Sequence, residues 1–294
     1  MRYIAETADL PEIQQSVEYK LRYAAELRGE LSERNIRWAG ANNFPHEISL
    51  GSTPAVLYRE DDTGRHGNFY PSAYRRIVAS PGWNHRLKKS HTSARKILLS
   101  RDSDRKELDS CNSSDALLMS IFCNHQAFRP GGRLPALLGV DAGSIPDFGY
   151  CPGVPLRNGR VDRTEIDMRL GNLLFEAKLT EHDFQTAPPR LVERYRDFEE
   201  VFDIEELPRL GDSFLSYQLI RGVLAAFAGD ELRFGVICDA RRPDLIGDWY
   251  RVLQCVRLPA FRCRLMLLTW QEIATASPRS LQRWLDQKYG IIGI

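Results

Sequence analysis

The spacing of apolar positions changes several times along the chain, and each change marks an element. Over residues 11–31, PEIQQSVEYKLRYAAELRGEL, Ile13, Val17, Leu21, Ala24 and Leu31 recur at helical spacing, with Pro11 in the first turn and Gly29 near the end. PAVLYRE at 54–60 reads as a short strand, broken off by the turn-rich DDTGRHGN. Residues 116–128, ALLMSIFCNHQAF, are apolar around nearly the whole circumference of a helix, so this one is expected to be buried. A Pro- and Gly-rich stretch follows, with a strand expected near 148–156. From 164 to 180 the period becomes two. Helices are then expected over 188–202 and 213–227, and the last quarter alternates: strand 232–240, helix 243–256, strand 262–270, helix 277–290. Strands joined through helices pair in parallel by right-handed crossover, whereas a tight hairpin pairs antiparallel. The expected fold class is therefore α/β, a mixed central β-sheet flanked by helices.

The period-two stretch, TEIDMRLGNLLFEAKLT, is centred on Gly171-Asn172, a dipeptide that tolerates the positive φ of a two-residue hairpin turn. In a symmetric hairpin the opposed residue numbers sum to 343, which sets Asp167 across from Glu176 and Glu165 across from Lys178. All four then share one face, with Ile166, Met168, Phe175 and Ala177 on the other. Two carboxylates directly opposed repel each other. A divalent cation between them turns repulsion into coordination, so the hairpin is a candidate metal site. The bland reading is a solvated surface hairpin; against it, the strand LLFEAK is otherwise too apolar to leave Glu176 and Lys178 without partners.

Lys+Arg 40 against Asp+Glu 39 leaves a net charge of +1, so the global balance does not announce a polyanionic partner. Its distribution does. From Arg75 to Lys106 ten basic residues, among them Arg75, Arg76, Arg86, Lys88, Lys89, Arg95 and Lys96, face two acids, with Tyr74, Trp83, His85 and His91 interleaved. Such a run either neutralises DNA phosphates or forms a solvated helical surface. SRDSDRKELDSCNS, 100–113, has almost no apolar residues and reads as a linker, dividing a helical, basic extension (1–109) from a core (110–294). The six cysteines lack zinc spacings and sit mostly in apolar company, as buried free thiols of a reducing compartment would. No apolar run suits a membrane span and Glu6 and Asp9 interrupt any leader, so the expected location is cytoplasmic.

Two helices carry further candidates. Asp115, in the Ser113-Ser114-Asp115 lead of the apolar helix, either caps it or projects toward the hairpin. Gln218 and Arg221 share one side of an otherwise apolar helix, marking either its solvent edge or a polar role inside.

Asp167 followed across a hairpin by Glu176-Ala177-Lys178, with a helix before and a strand–helix–strand after, resembles the PD-(D/E)xK nuclease superfamily, with its restriction-endonuclease-like core, from about Ser113 to Trp270. YQLIR resembles the Gln-bearing auxiliary motif of the exonuclease branch, although residue 222 is Gly where the fuller motif has Tyr. Thr164-Glu165-Ile166 stands before Asp167 where the family name has Pro. The resemblance implies a metal-dependent endonuclease acting on DNA. Asp167, Glu176 and the carbonyl of Ala177 would ligate Mg²⁺ (or Mn²⁺), and Lys178 would orient the attacking water or stabilise developing charge. Gln218 and Arg221 would position phosphate, Glu165 would tune or pair with Lys178, and Asp115 would be the acid of the preceding helix. Double-strand cutting would call for a homodimer. Two other classes stay open: a non-catalytic nucleic-acid-binding or assembly protein with this fold, and a metal-dependent hydrolase of a small molecule.

Overall fold

The structure, a computed structural model, describes residues 10–49, 54–90 and 106–294, with side chains from residue 20 onward. Its centre is a five-stranded sheet built from β1 (Pro146–Tyr150), β2 (Ile166–Leu170), β3 (Leu173–Ala177), β4 (Arg233–Cys238) and β5 (Leu265–Thr269). The strand order is β5-β4-β3-β2-β1, antiparallel from β1 to β3 and parallel from β3 to β5. The expected mixed sheet is thus present, and β3 is the strand at which the two pairing modes meet.

The helices that matter here are α1 (Leu10–Asn42), α2 (Pro71–Ala79), α3 (Ser114–Phe122), α4 (Tyr217–Phe227), α5 (Pro243–Gln254), α6 (Trp270–Ala276) and α7 (Arg279–Tyr289). They cover both faces of the sheet. Met168, Leu170, Phe175 and Ile237 meet Leu117 and Phe122 of α3 and Trp270 of α6 on one side. Leu174, Phe234 and Val236 meet Ile220 and Leu224 of α4 and Trp249 of α5 on the other. Strand β3 is buried along its whole length, and each fully buried Leu or Phe there contributes about 1.5–3 kcal/mol.

Several elements differ from their expected extents, for visible reasons. Helix α1 runs past Gly29 because tertiary contacts outweigh its helix penalty of about 1 kcal/mol: Leu27, Leu31 and Ala39 are buried, and Glu30 holds Arg241 at 2.8 Å. The strand expected near 148–156 is two strands, β1 and Val154–Pro155, parted by Gly153 at φ +71. The helix expected over 188–202 is two short turns, Pro189–Val192 and Phe198–Val201, between which Tyr195 is drawn to Asp162 by a hydrogen bond. Ile166 packs with Leu174 rather than with Met168; Gly149, on the neighbouring strand between the partners of Ile166 and Met168, has φ +67 there.

Residues 106–113 of the expected linker are packed. Leu108 and Cys111 are wholly buried, and the Asn68 amide donates to the carbonyls of Leu108 and Ser110 at 2.6 and 2.8 Å. Polar composition concealed this because the anchoring bonds are made by main-chain groups. At the sheet's β1 edge, the Trp83 indole N–H donates to the Pro146 carbonyl at 2.9 Å. Among the described residues no helix is long and apolar enough to cross a membrane.

Candidate active site

Gly171 takes φ +60, and the hairpin pairs Leu170 with Leu173, Arg169 with Leu174 and Met168 with Phe175, the register expected from the sequence. Beyond Met168 the regular ladder gives way to a side chain: the Asp167 carboxylate accepts the Ala177 N–H at 2.7 Å through Oδ2. Lys178 is fixed through its backbone, its N–H donating to the Ile237 carbonyl (2.8 Å) and its own carbonyl accepting from the Trp270 indole (2.9 Å). Helix α4 begins where the 184–185 loop takes up its first amides, Tyr217 N–H on the Gln185 carbonyl and Gln218 N–H on that of Phe184, each at 2.9 Å. That start aims Gln218 at β3.

The Glu176 carboxylate, 2% exposed, accepts through Oε1 from both Lys178 Nζ (2.9 Å) and Gln218 Nε2 (2.5 Å). Asp167 and Glu176 therefore each have one oxygen committed to the protein and one that is not. Burial pushes the Asp167 carboxyl well above its usual range, and Glu176 and Asp115 push it further, against Lys178 and the Ala177 N–H. Burial alone would lower the Lys178 ammonium, but Glu176, Glu181 and Asp167 outweigh it and hold Lys178 above its ordinary value. The result is a cluster of buried carboxyls around the Lys178 ammonium.

Asp115 reaches this cluster instead of capping α3; Ser113 is the cap, accepting the Ala116 N–H at 3.2 Å. Asp115, 5% exposed, is held by Arg86 Nη2 and Lys89 Nζ, each at 3.0 Å. Arg86 also reaches Glu165 at 3.0 Å. Glu165 is therefore partnered by Arg86 and not by Lys178 across the hairpin, because Lys178 turns along its own strand to Glu176. Arg221 donates to the Glu165 carbonyl at 2.8 Å, so Gln218 and Arg221 both face the site.

The basic stretch divides accordingly. Arg86 is buried and Lys89 half-buried, and both serve carboxylates at the site. Arg76 is exposed, lies over the Trp83 ring and donates to the Cys123 carbonyl at 2.6 Å. Arg75 and Lys88 are exposed, while Arg95 and Lys96 lie outside the described residues. Cys111, Cys123, Cys238 and Cys255 are buried free thiols, and Cys151 and Cys263 are exposed ones.

Three participants escaped the sequence reading. Gly149 is one: a Cβ there would run into the Arg86 guanidinium, so its absence opens the way to Asp115 and Glu165. Glu181 is another, accepting from the Ser114 hydroxyl at 2.5 Å and the Leu179 N–H at 2.6 Å while facing Lys178. Its place three residues after Lys178 was the available signal. The third is Phe234, whose ring fills the space a side chain at 222 would need. Any side chain at 222, the Tyr of the fuller auxiliary motif included, would require this ring to move.

Among the described residues no three His, Cys, Asp or Glu side chains close around a common point as a cage. Magnesium does not require one: it commonly binds through one or two carboxylates, keeps several waters and shares substrate phosphates. Two uncommitted carboxylate oxygens in a cluster that raises the Asp167 pKa fit that demand. In comparisons with known proteins, a family model described as Restriction Endonuclease associating with ARP matches residues 45–290, running through the boundary expected at 109/110. No curated protein and no solved structure gives a match.

Proposed function

Given that the chain belongs to this restriction endonuclease family, with a restriction-endonuclease-like core, we propose that it is a Mg²⁺-dependent deoxyribonuclease, an endonuclease hydrolysing DNA phosphodiester bonds. The observation that carries the reading is that Asp167 and Glu176 stand on the two strands of one hairpin, each with a free oxygen, beside a buried charged lysine. Asp167, Glu176 and the Ala177 carbonyl would hold the ion. Bound there, it supplies an acidified water and offsets charge on the phosphate in the transition state. Lys178, kept protonated by its carboxylate neighbours, acts as a donor that orients the water or meets developing charge, not as a base. Gln218 holds Glu176 in place, and Arg221, anchored on the Glu165 carbonyl, would position the substrate phosphate. Asp115 adds a third carboxylate, neutralised by Arg86 and Lys89. Arg75 and Lys88 add positive charge on the outer surface, and a homodimer would bring two such sites to the two strands.

Supercoiled plasmid incubated with Mg²⁺ or Mn²⁺ is expected to be nicked or linearised, and EDTA to prevent it. Asp167→Ala, Glu176→Ala and Lys178→Ala are each expected to lower cleavage by at least about 100-fold, the order of one electrostatic contact in a transition state. Undiminished cutting by purified Asp167→Ala would sink the reading, and metal-independent retardation without cuts would favour a binding protein.

A further inference from the structure

The sequence directly upstream of the site forms a small ribbon that none of the catalytic roles uses. Val154–Pro155 pairs antiparallel with Val161–Asp162, and the loop between them is closed by the Leu156 N–H on the Arg160 carbonyl at 2.8 Å, with Gly159 at φ +77. The ribbon is anchored at its base. Asp162 accepts from Thr164, Arg194 and Tyr195, and Tyr195 is in turn 2.8 Å from the Tyr217 hydroxyl, one residue before Gln218. From this footing residues 157–161 and 163–165 stand exposed.

The exposed part is basic. Arg157 is tied to Glu199 at 2.5 Å, whereas the Arg160 and Arg163 guanidiniums have no protein partner among the described residues. An exposed arginine without a carboxylate gains little from its own fold. Arg163 lies two residues before Glu165, and Arg160 seven before Asp167. At about 3.4 Å per residue the ribbon tip is therefore no more than about 24 Å from Asp167, roughly seven phosphates along one strand of a duplex. A two-stranded β-ribbon is also a shape that the major groove admits.

We propose that the ribbon 154–163 is a duplex-DNA contact: Arg163 holds phosphate beside the scissile bond, and the Arg157-Asn158-Gly159-Arg160 tip tracks the groove. This moves the principal contact from the upstream basic stretch, two of whose cations are spent on Asp115, to the segment leading into the hairpin. The proposal rests on the nuclease reading for its choice of partner, so its test is made on binding.

In EDTA, where no cutting is expected, affinity for a labelled duplex is measured by fluorescence anisotropy on the full chain between 50 and 200 mM salt. Arg160→Ala/Arg163→Ala is expected to weaken binding at least about 10-fold at low salt and to reduce the slope of log K against log[salt] by about 2, roughly 0.9 for each phosphate no longer neutralised. Arg75→Ala/Lys88→Ala should do less. Unchanged affinity and slope in the ribbon variant, with its melting temperature retained, would overturn the proposal. So would an absence of duplex binding by the wild type, or a loss confined to RNA or single-stranded DNA. A plasmid left uncut while the ribbon variant still loses duplex binding would remove the nuclease reading alone.

Discussion

Lys178 and Lys288 are both almost wholly buried, 6% and 0% exposed, and their surroundings drive them in opposite directions. Around Lys178 stand Glu176, Glu181 and Asp167, and the ammonium is held above its ordinary pKa despite burial. Around Lys288 stand the Tyr58 and Tyr289 rings, 4.2 and 5.1 Å from Nζ, and the side-chain carbonyl oxygen of Asn35, which accepts its hydrogen bond. Burial there pulls it down to about 7, opposed by the Cys111 thiol. Removal from water does not decide whether a lysine is charged; the number of carboxylates in reach does. The carboxylates hold the site's lysine as a cation, while burial draws its counterpart on α7 toward losing its proton.

Lys178→Met should have the largest effect. It leaves buried carboxylates without their cation, and breaking such a pair typically costs about 3–5 kcal/mol. Burial and the neighbouring carboxylates hold the Asp167 carboxyl above its unfolded value, so it binds more protons folded than unfolded and the loss should grow as pH rises from 5 to 8. Urea unfolding at the two ends of that range checks it. Lys288 should give the opposite slope. Its folded pKa is depressed, so the unfolded chain binds more protons between pH 7 and about 10.4, and stability rises with pH there. Wild type should gain roughly 2–3 kcal/mol between pH 7 and 9 from this group, at about 1.4 kcal/mol per unit, and Lys288→Met should lack the gain. The smallest change is Asn35→Asp, which supplies the missing carboxylate. It should raise Lys288 by about one unit and flatten the same pH dependence by roughly 1.4 kcal/mol. Identical pH profiles in all three variants would mean that carboxylate count is not what separates the two lysines.

What could be read from the sequence was whatever short-range periodicity determines. The hairpin register follows from a period of two and a Gly-Asn turn, so the Met168–Phe175 pairing and the face shared by Glu176 and Lys178 were legible. The helix bearing Gln218 and the strand–helix–strand after it were legible for the same reason. Contacts between distant segments were not. Arg86 meets Glu165 only because Gly149, on a third segment, makes room. Nor does register decide which carboxylate a lysine chooses: Lys178 and Glu165 stand opposite in the alternating pattern, yet rotamers pair Lys178 with Glu176 and Glu165 with Arg86. The polar stretch ending at residue 113 was misleading because side-chain composition says nothing about main-chain carbonyls gripped by Asn68.

The bond between Trp83 and Pro146 bears on how this molecule meets others. An outermost strand offers a row of unpaired amides and carbonyls that a neighbouring chain can extend, the usual route to strand-swapped or fibrous assemblies. At the start of β1 that row is blunted twice: Pro146 has no N–H to offer, and its carbonyl is taken by the indole. Three residues on, Gly149 turns the backbone through a positive φ. A second copy docking at this face would find little to zip onto, so self-association through side-chain surfaces is favoured over continuation of the sheet.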